Sequence, residues 1–403
     1  ANNIISHDPT KYSQKKRKSG KPMTEFVAEQ PEGLQPASAT ELSSRFRHCV
    51  TGYFGEPVFD HSGRYLIYAG FDSVEAGAVV LRDGETGGET VLAETPHVGF
   101  HSNSQRWICG DRGVLFAADR AGRRCPAVVW LEDSNRVQVF DDLAGHSVRH
   151  VSADGRKGYG GGPDSASQAA AIRRIDFTTG EAETVLTVEQ VLDALPGTFP
   201  DRDQGWHFSH PIPNAAETVL FVKFQRDTPW KDDARGFPYW GAFLVADLRT
   251  GDVRSFGRRI SGHPYWMPDD RQILNIKDPW DGSKNRHLVL VDSETGADQR
   301  LIDLPIEGPG HPSVSPDGRF VVTDGCTADG EAAPIYLVDI DHGTVREIAR
   351  LPHRTRPQKN VYDPTKITRA NPHPVWGPHS QRVVVNCNHD GRYMGLVLLD
   401  SFC

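Results

Sequence analysis

The chain has 403 residues, 37% of them hydrophobic, which can bury a large core but exceeds the usual size of one compact domain, so two domains or one repeat architecture are required. Lys and Arg number 45 against 53 Asp and Glu, a formal charge of −8, which argues against a nucleic-acid partner because phosphate neutralisation needs a basic surface. No apolar run approaches the roughly 20 residues of a membrane-spanning helix, so no membrane partner is expected.

Residues 1–45 read as a polar N-terminal arm, expected to cross the underside of the fold or to be partly disordered. Its basic run, Lys15-Lys16-Arg17-Lys18, reads as a solvated tail. No signal peptide is visible, and the first residue, Ala1, fits a processed secreted protein or simple removal of an initiator Met; an extracellular location is favoured over a cytoplasmic one. The six cysteines (Cys49, Cys109, Cys125, Cys326, Cys387, Cys403) show no CxxC spacing, which argues against structural zinc and leaves disulfide pairing open.

From residue 46 to 403 one unit recurs: a small or polar residue, often His, then Pro, an apolar position, a Pro-Asp-Gly-like turn and a β-rich run. Copies begin at Gly55 (GEPVFDHSGRYLIYAG), His97, Gly145, Trp206, Gly262 (GHPYWMPDDRQILNI), Gly310 (GHPSVSPDGRFVVTDG) and Asn371 (NPHPVWGPHSQRVVVNC). Their starts lie roughly 40 to 60 residues apart, the length of a four-stranded propeller blade with variable loops. Outer strands follow most copies, as in HLVLVDSETGADQRLI from His287, and only 187–194 reads as a helix. These observations predict an all-β, seven-bladed β-propeller.

Each Ser-Pro-Asp-Gly is the turn between the first two strands of a blade and marks fold, not function. The histidines before those turns carry more information. The first side chains of an innermost strand point at the propeller axis, so His97, His101, His146, His207, His210, His263, His311 and His373 are expected to converge on one central pocket. A His-Pro pair is also explained as a packing element of the repeat, so each His alone decides little. The Gly-rich YGGGPDS from Tyr159 lacks the Lys of a phosphate loop and reads as a turn. No GxSxG elbow and no HExxH pair is present, and Asp317 and Asp324 are more simply read as turn and strand-end residues than as a glycosidase pair, which leaves hydrolysis a minor option.

The stretch from about Trp206 to the C-terminus resembles oligogalacturonate lyases and related seven-bladed propeller polysaccharide lyases. The resemblance rests on GHPYWMPDD at His263, GHPSVSPDGRFVVTDGC at His311 and NPHPVW at His373, with a weaker match at EPVFDHSGRYLIYAGF from Glu56. It implies that His263 is the base removing the C5 proton of a uronate, and that His311 and His373 belong to a metal site. The family's next metal ligands, a His and a Gln, fall at Asn371 and near Thr368, which are weaker ligands for a transition metal. The divalent cation, Mn or Ca, is therefore expected to be altered or lost. The family's catalytic Arg falls near Gly241, leaving Arg226 and Arg235 as nearby candidates.

β-Elimination beside a uronate needs a cation or Arg to neutralise the carboxylate, a base at C5, and a proton for the leaving oxygen. Imidazole suits the second role; Tyr265, His101 or His210 fits the third, with His97 and Arg235 as further substrate contacts. Trp206, Trp240, Tyr265, Trp266 and Trp376 offer faces for sugar rings, although Trp266 and Trp376 sit where core packing is expected. The expected substrate is an oligosaccharide containing a uronate, an oligogalacturonide or a glucuronate-bearing plant gum side chain such as a rhamnosyl-glucuronate, and the expected state is a monomer. The other reading is a non-catalytic propeller scaffold binding a partner protein, which would need no ring of axial histidines.

Overall fold

The computed structural model describes residues 38–73, 76–96, 105–133, 136–143, 145–161, 170–199, 202, 205–230, 239–256, 263–277, 286–306, 310–327, 330–352, 371–389 and 393–400. These form seven separate four-stranded antiparallel sheets, the blades of a propeller. Six blades run in simple chain order from inner to outer strand. The seventh is composite: its inner three strands come from the C-terminus, and its outermost strand, Ser38–Leu42, pairs with Tyr393–Asp400. The propeller therefore takes in residues on the N-terminal side of the boundary read at residue 46, because an exposed outer strand edge is removed when the N-terminal segment pairs with it.

The sheets are buried on both faces, so the core lies between neighbouring blades: Val58, Ile67 and Val79 of the first blade pack with Val114 and Val129 of the second and Val384 of the seventh. Three inner-strand tryptophans lock blade to blade. The indole N–H of Trp107 donates to the Val58 carbonyl (3.1 Å), that of Trp266 to Ile212 (2.9 Å) and that of Trp376 to Ser313 (2.9 Å), each in the preceding blade. Trp266 and Trp376 are thus core residues, and Trp206 stacks on Phe224 with ring centroids 4.8 Å apart. The side chain of Trp240 lies outside the described residues.

The repeated turns close as their composition requires. In the sixth blade Ser315 Oγ donates to Asp317 (2.5 Å) and accepts from the Phe320 N–H (2.9 Å), and the Gly318 N–H returns to the Ser315 carbonyl (2.8 Å). The helix is Val188–Ala194, held by a reciprocal capping box between Thr187 and Gln190. One reading is corrected: Tyr159 and Gly160 do not form a turn but belong to the strand Lys157–Gly160. Gly160 is required there because a Cβ would lie 1.9 Å from the Ser147 carbonyl oxygen. That carbonyl belongs to an irregular stretch where register shifts between Val148 and His150, leaving Arg149 as the bulged residue. Cys109, Cys125 and Cys387 are free thiols.

Candidate active site on the propeller axis

The first blade departs from the repeat. Its inner strand, His48–Val50, leaves the sheet and rejoins it only at the bridge between Phe59 and Leu66. Thr51 is anchored on the seventh blade, its N–H and hydroxyl both donating to Asn386 Oδ1 (2.8 and 3.0 Å), while Gln105 of the second blade donates to the Val50 carbonyl (3.0 Å). This excursion carries Tyr53 and Phe54 onto the axis. Gly55 makes the crossing feasible, since its φ is +71° and a Cβ would sit 2.5 Å from the Tyr265 ring.

Above these two rings the histidines of four blades gather. His263, His311 and His373 each precede an inner strand, and their ring centroids lie 4.2 Å apart from His263 to His311 and 4.2 Å from His311 to His373. Phe54 contacts His263 (4.7 Å) and His311 (5.7 Å), and Tyr53 meets His373 edge-on (4.9 Å). His210 joins from the fourth blade at a second bulge, with φ of +53°. Its Nδ1 bonds to Ser209 Oγ (3.1 Å) and its Nε2 to the Tyr53 hydroxyl (3.1 Å).

The partners fix the chemistry of each ring. His263 Nδ1 lies 2.7 Å from the Gly310 carbonyl, which can only accept, so Nδ1 carries the proton and Nε2 presents a lone pair. Burial, then the neighbouring His311 and His210, hold this imidazole well below its ordinary value, so it is neutral at pH 7, the form a base requires. His311 Nδ1 sits 2.9 and 3.0 Å from the two Asp324 oxygens, giving that strand-end carboxylate the task of orienting the imidazole. His373 is wholly buried.

The opposite side of the axis is built from arginine. Arg106 is 1% exposed and pairs with Glu56 at 2.6 Å, donating also to the Arg149 carbonyl at 2.7 Å. Arg149 is buried beside the Tyr53 phenol; burial lowers it to about 10, which leaves it cationic at neutral pH. Burial pushes Glu56 up to about 7 against the pull of Arg106 and Arg149.

The structure therefore brings together four of the expected residues, His210, His263, His311 and His373. Asn371 lies just ahead of His373, its carbonyl accepting from Asn386 Nδ2 at 3.2 Å. Arg226 lies under Trp206, 5.6 Å from the ring centroid, opposite that residue in the fourth blade. His207 is buried between the Gly205 carbonyl and Gln225. Tyr265 packs against Gly55 on the other side of the crossing segment, where burial pushes its phenol up to about 12. His97, His101, Arg235 and Thr368 lie outside the described residues. Tyr53 and Arg149 were not singled out from sequence; the signal available was TGYFGE, an aromatic pair between glycines where the repeat calls for a plain strand.

The metal expectation meets an incomplete donor set. Among the described residues no group of three His, Cys, Asp or Glu side chains is arranged to hold an ion, and His311 and His373 face each other ring to edge. Among the described residues, two imidazoles with one amide fall short of the several donors a manganese or calcium ion takes.

No family model matches this chain, and no curated protein matches it. Solved structures do. An oligogalacturonate lyase in complex with manganese superposes with a TM-score of 0.67 at 19% identity, covering 94% of this chain and 96% of that one. The oligogalacturonate lyase of Vibrio parahaemolyticus gives 0.64 at 18% identity, covering 90% and 93%. The β-propeller domain of the Trilobed protease from Pyrococcus furiosus, which has an open velcro topology, gives 0.54 at 13%, covering 87% and 96%. At these identities what is shared is the fold: this chain is a seven-bladed β-propeller similar over nearly its whole length to oligogalacturonate lyases.

Proposed function

We propose that this chain is a lyase that cleaves a uronate-containing oligosaccharide by β-elimination. The observation that carries the reading is the placement of His263: neutral, with Nδ1 committed to the Gly310 carbonyl, and packed within a histidine group that faces buried arginines across the axis. His263 Nε2 takes the C5 proton of the uronate. The electron pair left at C5 becomes the C4–C5 double bond as the C4–O4 bond breaks. Arg149, supported by the Arg106–Glu56 pair, neutralises the carboxylate whose charge grows as C5 loses its proton. The Tyr53 hydroxyl, in hydrogen bond with His210 Nε2, supplies the proton to the departing O4.

Arg226 is the other candidate for the carboxylate. The test is ultraviolet absorbance of the unsaturated uronate product on a panel of galacturonate and glucuronate oligosaccharides, with and without chelator. Growth on one substrate supports the lyase, and its loss with chelator assigns a divalent cation. Silence on every member of the panel would overturn the reading in favour of a non-catalytic scaffold.

A further inference from the structure

The axis has a second open end. On the face that carries the blade turns, the structure holds a cavity of about 610 Å3, separated from the histidine group by Phe54, which lines it from within. That volume is in the range of small-molecule sites. Its walls are apolar and aromatic, with Tyr265, Trp107, Trp266 and Trp376 among them. Its charged lining is of one sign: Glu56, Asp60, Asp111, Asp154 and Asp270 contribute carboxylates, and no Lys or Arg is among the described lining residues. The rim aspartates are engaged in turns, as Asp60 with Ser62 and Asp270 with the Ala216 N–H, and alone would mean little.

The floor adds a separate observation. Glu56 is 2% exposed; its Oε2 is taken by Arg106, but its Oε1 has no hydrogen-bond donor, with His150 Nδ1 at 3.4 Å as an ion-pair distance only. The Nε2 of His150, which also lines the cavity, is likewise without a hydrogen-bond partner. Burial keeps this imidazole neutral at pH 7, so it brings no positive charge to Glu56. A buried carboxylate oxygen without a donor, beside an unpartnered imidazole nitrogen at the bottom of an apolar, acid-rimmed cavity, calls for a ligand that brings donors and positive charge on a compact apolar body.

We propose that the turn-side mouth of the propeller is a binding site for a small organic cation, an ammonium or guanidinium carried on a ring-sized apolar group, with the Glu56 carboxylate receiving the cation. Because the site lies across Phe54 from the histidine group, it stands whether or not the lyase reading does.

The probe is phenethylammonium, with phenylacetate as the anion of similar shape, titrated calorimetrically into the full chain. Binding of the ammonium with at least a tenfold preference over phenylacetate is expected, together with at least a tenfold loss in Glu56→Gln. Since Glu56 also holds Arg106, that variant risks its fold. Ala153→Trp, at an exposed lining position, narrows the mouth without touching a carboxylate and is expected to weaken the ammonium to the same degree. No heat with phenethylammonium, equal affinity for phenylacetate, or unchanged binding in Ala153→Trp would each overturn the site and leave a water-filled end of the axial channel.

Discussion

The last four blades and the first three solve the same packing problem but furnish the axis differently. Blades four to seven deliver imidazoles, three of them from equivalent points of the repeat at His263, His311 and His373. Blades one to three deliver an aromatic pair on an excursion from the sheet, and arginines from the second and third inner strands, one at a bulge. A repeat places residues by copying, and an irregularity places them by breaking the copy. The candidate site uses both: imidazoles from the first of these and guanidiniums from the second.

Removing a group from each half should therefore fail in a different way. His263→Ala is expected to lose about 10³-fold or more in kcat/KM with Tm nearly unchanged, because a half-buried ring at the start of an inner strand carries little core packing. Unfolding of this variant would return His263 to a structural role. Arg149→Lys keeps the charge but loses the planar fork, so a loss of about 10²-fold is expected, read as a rise in KM and a fall in kcat together. A larger loss in Arg226→Lys would move the carboxylate to the fourth blade. Tyr53→Phe removes the phenol that bonds His210 and should cost about tenfold to a hundredfold in kcat, with product release on activated leaving groups spared.

Smaller effects sharpen the comparison through stability. Gly55→Ala forces a Cβ toward the Tyr265 ring at positive φ and should cost about 1–3 kcal/mol in denaturant unfolding. His48, His150 and His263 are all held below the ordinary imidazole value, first by burial. The unfolded chain takes up those protons near 6.5 while the folded chain refuses them until lower pH, so their contribution is complete above that value and is lost as pH falls below it. Glu56, raised to about 7, works in the opposite direction, its contribution fading as pH rises toward 7. Tm followed from pH 8 to pH 5 should therefore fall toward acid, and a flat profile in wild type would contradict the burial of these rings.

What could be read without coordinates follows the same line. The seven Pro-Asp-Gly-like turns announced the blades, since turn chemistry is local and repeats itself. His263, His311 and His373 were legible because each occupies the same place in a clean copy. Tyr53 was not, because the copy of the first blade is recognised only from Gly55 onward and the residues before it look like a linker. Arg149 was hidden for a related reason: a bulge shifts inward and outward positions by one, so alternation along 148–151 does not say which side chain faces the axis. Arg226 is a candidate by nearness in sequence and Tyr265 by its phenol, and neither contact described for them, with Trp206 or with Gly55, is to the histidine group.

The outermost strand of the seventh blade ties synthesis to assembly. Ser38 pairs with Asp400, so the ring cannot close until nearly the last described residues have left the ribosome, and six blades must wait, edge exposed, for the seventh. Pairing of such distant segments is slow to form, and once formed it must be broken before the neighbouring blades can separate. The clasp thus makes the lifetime of the folded protein depend on the five residues Ser38–Leu42, far from the axis where its chemistry is gathered.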